Sequence, residues 1–195
     1  MTHPIHCTAF VGHRRIASGL LRDVAIAIKE SGAEAATEPL LVFDDITARP
    51  VELDLRGTAA EIAARIVEGT AMPESTEETD APRGRGRPKL GVVAREVTLL
   101  PRHWEWLNSQ PGGASVVLRK LVDAARHASA APDRRRHAQE VCYRFISALA
   151  GNLAGFEEVS RALFAPDQAR FETLIAAWPQ DVREYATKLA EGVWA

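Results

Sequence analysis

Cysteine is scarce in this chain: Cys7 and Cys142 are the only two in 195 residues, and they share no CxxC spacing. A disulfide framework or a cysteine-rich zinc module needs more thiols set closer together, so both are disfavoured and a reducing compartment fits. Long uncharged runs are also missing. The longest, Met1–His13 and Trp106–Leu118, are 13 residues each, short of the ~20 apolar residues of a transmembrane helix. The amino terminus has its first Arg only at position 14, after His3, Pro4 and His6, and lacks the basic start and apolar stretch of a secretory signal. A cytoplasmic protein with no membrane contact is therefore expected. Catalytic signatures are lacking as well: there is no Ser/His/Asp set, GxGxxG, phosphate loop or HExxH. No catalytic residue, metal ligand or cofactor is assigned, and the expected class is non-enzymatic.

What is present is an ordinary globular composition, 46% hydrophobic and 26% charged, with enough mass to bury a core unaided. The net charge of -2 hides a segregation. Residues 1–80 hold 7 basic and 14 acidic side chains, residues 81–136 hold 12 and 4, and residues 137–195 hold 5 and 8. A basic block between two acidic ones points to a polyanion partner or to a solvated basic face neutralised by its neighbours.

The pattern along the chain predicts an α+β protein. His6–Val11 and Arg15–Leu21 read as strands joined at Gly12-His13, and Arg22–Ser31 as a helix ended by Gly32. Leu40–Phe43 and Val51–Leu55 read as a second hairpin turning through Asp44–Pro50, since Val51, Leu53 and Leu55 alternate with Glu52, Asp54 and Arg56. Thr58-Ala59-Ala60-Glu61 is a capping box that opens a helix through Ile62 and Ile66. Residues 1–69 thus form a small domain of two hairpins and two helices. Residues 70–91 are first acidic and polar, then rich in Pro, Gly and Arg, without apolar periodicity, and are expected to be a flexible linker. Residues 92–131 read as a strand and two helices, and residues 132–195 as a helical domain with helices at Arg134–Ala150, Phe156–Phe164, Pro166–Ala177 and Asp181–Glu191.

Two segments carry candidate chemistry. Arg83-Gly84-Arg85-Gly86-Arg87-Pro88-Lys89 contains Arg-Gly-Arg-Pro, and it resembles the AT-hook of minor-groove binders. A narrow A·T minor groove has an enhanced negative potential that attracts Arg. Gly86 lets the backbone lie on the groove floor between Arg85 and Arg87. Pro88 fixes the exit direction, and Arg83 and Lys89 reach flanking phosphates. The second segment, Val97–Leu107 followed by Pro111–Val122, resembles a ribbon–helix–helix module. That resemblance implies a homodimer, with Ser115 capping the second helix so that its N–H groups hold a DNA phosphate. The outward strand positions are either Glu96, Thr98 and Leu100 or Val97 and Leu99. Neither set reads bases well, and Glu96 repels phosphate.

Over nearly its whole length the sequence resembles a bacterial family catalogued as domain of unknown function 2239, most clearly over Gly84–Leu107 and Pro111–Val122. The resemblance implies a bacterial source and no activity. Weaker constellations read as structure: Asp44, Asp45, Glu52 and Asp54 as a hairpin's turn and wet face, and His3, His6, Cys7 and His13 as an unconnected set. Arg134-Arg135-Arg136 extends the basic block. The expected function is a DNA-binding accessory or regulatory protein with A·T-rich DNA as a weakly selective partner. The alternative is a non-enzymatic protein-interaction adaptor whose basic linker is only a spacer.

Overall fold

The computed structural model describes residues 5–69, 93 and 95–195. The chain divides into two compact units, Met1–Met72 with Ala131–Ala195, and Pro73–Ala130. The expected linker at 70–91 lies outside the described residues. The fold is α+β.

In the larger unit, β1 (His6–Val11) and β2 (Arg14–Leu20) form an antiparallel hairpin. Its turn places Gly12 at φ 54°, a left-handed conformation that favours glycine. Helix α1 (Leu21–Ser31) follows directly and ends on left-handed Gly32, whose N–H reaches the Ile28 and Lys29 carbonyls. Strand β3 (Leu40–Asp44) then returns along the other edge of β1, giving the order β2-β1-β3.

The predicted second hairpin closes only at its turn, where Phe43 and Pro50 form an isolated antiparallel bridge. No strand is assigned over 51–55; only Val51 still donates to Val42 O, at 2.8 Å. The carbonyls of Asp54 and Arg56 instead accept from the Arg65 guanidinium on helix α2 (Ala59–Gly69), which satisfies them without a ladder. Val51, Leu53 and Leu55 still point inward against the sheet's core. The capping box forms as read: Thr58 N donates to Glu61 Oε2 at 2.7 Å, and Glu61 N to Thr58 Oγ1 at 3.3 Å.

Three further helices close the unit: α5 (Phe156–Phe164), α6 (Gln168–Ile175) and α7 (Gln180–Trp194). They follow α4 (Gly113–Ala150), whose 38 residues include Pro132. The sequence pattern predicts two helices divided at Pro132, and one continuous helix is found. The Ala-rich run Ala124–Ala131 favours helix strongly, and a proline accepts helical φ at the cost of one hydrogen bond. The boundary between the two compact units falls within α4, at residues 130 and 131.

Because side chains alternate along β1, its two faces enter two different cores. Cys7, Ala9 and Val11 pack with Val24, Ile28 and Val42. Phe10, with Phe43 and Ala48, packs into the core of the carboxy-terminal helices, among Val141, Phe145, Val182 and Tyr185. The sequence reading kept residues 1–69 and 132–195 as separate domains; here they share one hydrophobic core. Burial pushes both thiols up to about 12, with Asp45 and Asp44 adding to the effect at Cys7. A thiol reagent should therefore modify neither cysteine in the native protein and both after denaturation. Because the native state holds these protons more tightly, the thiols' contribution to stability should be fully present below about pH 8.5 and be lost progressively above it. A fast-reacting thiol at pH 8 in native protein would contradict this burial.

Candidate nucleic-acid interface

The motif Arg83, Arg85, Gly86, Arg87, Pro88 and Lys89 lies outside the described residues. The part of the basic block that is described begins at Arg95. Residues 95–100 carry no strand, and α3 (Pro101–Ser109) starts with proline at its first turn, where a missing N–H costs nothing. A Gln110–Gly112 turn, with Gly112 at φ 91°, leads into α4. Ser115 is not the cap: α4 starts two residues earlier, at Gly113, so Ser115 is exposed within the first turn. Its carbonyl accepts from Arg119 Nε at 3.2 Å. In the sequence both glycines look like turn residues, whereas Gly113 opens the helix.

The side chains of α3 and α4 sort by charge. Arg102, Arg119, Lys120 and Arg126 are exposed. Leu99, His103, Trp106, Leu107, Leu118 and Leu121 line an open, almost wholly apolar pocket of about 260 Å³. Leu107 is the one buried hydrophobic side chain among the described residues of this smaller unit. In the larger unit Arg134, Arg135 and Arg136 are all exposed, and Arg136 pairs with Asp133. Within either unit, exposed cations suit phosphate contact, which needs charge and reach more than exact geometry.

A polar constellation that the sequence reading missed stands where sheet meets helices. Asp45, read as a solvated turn residue, has a side chain only 14% exposed. Its Oδ1 accepts from Thr8 Oγ1 at 2.7 Å and from Tyr185 Oη at 2.8 Å, and Lys188 Nζ stands 3.3 Å from Oδ2. Ser18 Oγ completes the chain at 2.9 Å from Thr8 Oγ1. Burial, then the hydrogen bond to Asp45, hold the Tyr185 phenol well above its ordinary value, so it is a fixed donor and not an acid. Nearby, Asp181 Oδ2 accepts from Arg15 N at 2.8 Å, and His13 Nε2 donates to Leu149 O at 2.9 Å. These groups are mutually satisfied and join β1, β2 and β3 to α4 and α7. Only the Thr8–Ser18 pairing across the first hairpin was available locally as a signal; Asp45 and Tyr185 are 140 residues apart. Among the described residues, no three His, Cys, Asp or Glu side chains are placed to hold a metal ion, and no helix is long and apolar enough to cross a membrane.

Residues 6–190 match the family DUF2239, described as an uncharacterized protein conserved in bacteria. No curated protein and no solved structure matches the chain. With the match running from the first strand into the last helix, the chain belongs to the DUF2239 family of bacterial proteins.

Proposed function

We propose that this protein is a DNA-binding accessory or regulatory protein that holds A·T-rich minor groove through Arg85 and Arg87, with Gly86 and Pro88 shaping the backbone between groove and exit. The observation that carries this reading is the sequence Arg-Gly-Arg-Pro inside a block with 12 basic and 4 acidic side chains. Support comes from the exposed Arg102, Arg119, Lys120 and Arg126 in the same block, which add phosphate contacts. Because the minor groove hardly separates A·T from T·A, the selectivity is for A·T content and not for a defined sequence. The segment 92–131 is the dimerising and docking module beside this anchor.

Titration into labelled A·T-rich and G·C-rich duplexes at two salt concentrations tests the proposal. Binding should favour A·T. Affinity should fall with salt at about -0.9 per phosphate neutralised, so Arg83, Arg85, Arg87 and Lys89 contribute on the order of -3 to -4 per chain. Arg85→Ala with Arg87→Ala should abolish the preference and flatten the slope. Arg→Lys at both positions should lose more than charge alone predicts, because a compact hydrated ammonium replaces a planar guanidinium. No binding at micromolar protein and roughly 50 mM salt overturns the DNA reading, since non-specific binders already reach about 10⁻⁴–10⁻⁶ M. The basic segment would then be the spacer of an adaptor.

A further inference from the structure

The smaller unit has an unusual imbalance between apolar content and burial. Around α3, Trp106, His103, Leu107 and Trp104 fall within one arc of the helix, and Leu107 at its centre is buried while Trp104 and Trp106 on its flanks are not. Along α4, Val117, Leu118, Leu121 and Val122 form one stripe, with Arg119, Lys120 and Asp123 on the opposite side. Leu121 sits in the middle of that stripe and is nevertheless 47% exposed. An amphipathic helix keeps its apolar stripe facing a core, because packing and not intrinsic propensity supplies most helical stability. A face this open is half of a core.

We infer that a second copy of this chain supplies the other half, with the α3–α4 faces of two protomers closing on each other about a two-fold axis. This gives the dimerising module of the proposed function a specific surface. Three observations favour a second copy over a foreign partner. The first is size. Val97, Leu100, Trp104, Trp106, Leu121 and Val122 are 36–55% exposed, which at ~150–250 Å² per large side chain leaves roughly 500–600 Å² of apolar surface open. A standard interface buries ~800 Å² per partner, of which about 55–65% is apolar, so the exposed apolar area of this unit is of the size that one side of such an interface needs. It also lies at the upper end of the ~300–600 Å² that a monomer leaves uncovered.

The second is charge. The helices carry both signs close together, Arg102 with Glu105 on α3 and Lys120 with Asp123 on α4. Helices of mixed sign do not repel a second copy of themselves, so an isologous contact carries no charge penalty. A surface shaped for an oppositely charged protein would carry one sign. The third is dependence: a unit with one buried hydrophobic side chain among its described residues needs its cover at all times. A second copy is always present in stoichiometric amount.

The test is the solution mass of the full chain without DNA, so its outcome is separate from that of the duplex titration. Light scattering should give twice 21.3 kDa across about 1–100 micromolar protein, as expected for an interface of this size. Leu121→Asp with Val122→Asp should give 21.3 kDa. Val122→Cys, which adds one exposed thiol to a chain whose own two are buried, should yield a disulfide-linked dimer on mild oxidation. That variant serves where the aspartates prevent folding. A monomeric wild type at all concentrations overturns the proposal. So does a dimer that persists in the folded aspartate variant and gives no Val122→Cys cross-link, because the contact would then lie elsewhere.

Discussion

Phe145→Ala should cost about 3–5 kcal/mol of unfolding free energy, a large fraction of the ~5–15 kcal/mol that a domain has. Phe145 is completely buried and stands at the junction of sheet and helices. Its ring lies 5.4 Å from Phe10, 5.3 Å from Phe43 and 4.7 Å from Tyr185, centroid to centroid. Two of those contacts are near edge-to-face, the favourable arrangement of ring quadrupoles. Truncation removes the transfer free energy of the ring and opens a void whose walls come from β1, β3 and α7. Those walls are held by other contacts and collapse only in part, so the cavity term adds to the transfer term. Phe145→Leu should cost about half as much, because it keeps most of the volume. Denaturant melts followed by tryptophan fluorescence would measure both. A loss below about 1 kcal/mol for alanine would mean that sheet and helices do not share this core.

Asp45→Ala should be nearly as damaging, about 3 kcal/mol, for a polar reason. Removing the carboxylate leaves the Tyr185 hydroxyl without its acceptor, on a residue 1% exposed, and takes one partner from Thr8, which is fully buried. Hydrogen bonds to a charged group contribute about 1.5–3 kcal/mol each, and an orphaned buried hydroxyl carries its own desolvation cost. Lys188 adds little, since its side chain is 55% exposed and water screens the pair. Asp45→Asn keeps one acceptor oxygen and should lose about half as much. Tyr185→Phe removes the donor cleanly, so combined with Asp45→Ala it should cost less than the sum of the two changes. Strict additivity in that double-mutant cycle would show that the two side chains do not bond in solution.

Local signals in the sequence account for much of this fold. The period of Val24, Ala25 and Ile28, stopped by Gly32, marks α1; the spacing from Phe156 to Leu163 marks α5; Thr58 and Glu61 mark the start of α2. Each depends on residues within four positions of one another. The errors depend on longer reach. Alternation at Val51–Leu55 signals burial on one side, which is present, but not a ladder, because Arg65 takes the carbonyls from a distance in sequence. Pro132 looks like a stop until the alanines around it are weighed. Asp45 looks like a turn residue because its turn is local, while the partners that bury it sit on β1 and α7. The candidate DNA anchor was legible for the opposite reason: arginines that meet a groove need no fold around them, so the motif is complete in seven consecutive residues.

The pairing of the first strands with the last helix has a consequence for how the protein is made. A ribosome adding about 5–20 residues per second completes Asp45 roughly 7–28 s before Tyr185, which follows 140 residues later. Through that interval Phe10, Phe43 and Ala48 have no Tyr185 or Val182 to cover them, and the nascent sheet has only its α1 face closed. Translation must therefore run past the codons of α7 before the larger unit can close its core. A chain that stops just before α7 would hold both strands of the first hairpin and every earlier helix and still expose its central aromatic cluster to chaperones and proteases.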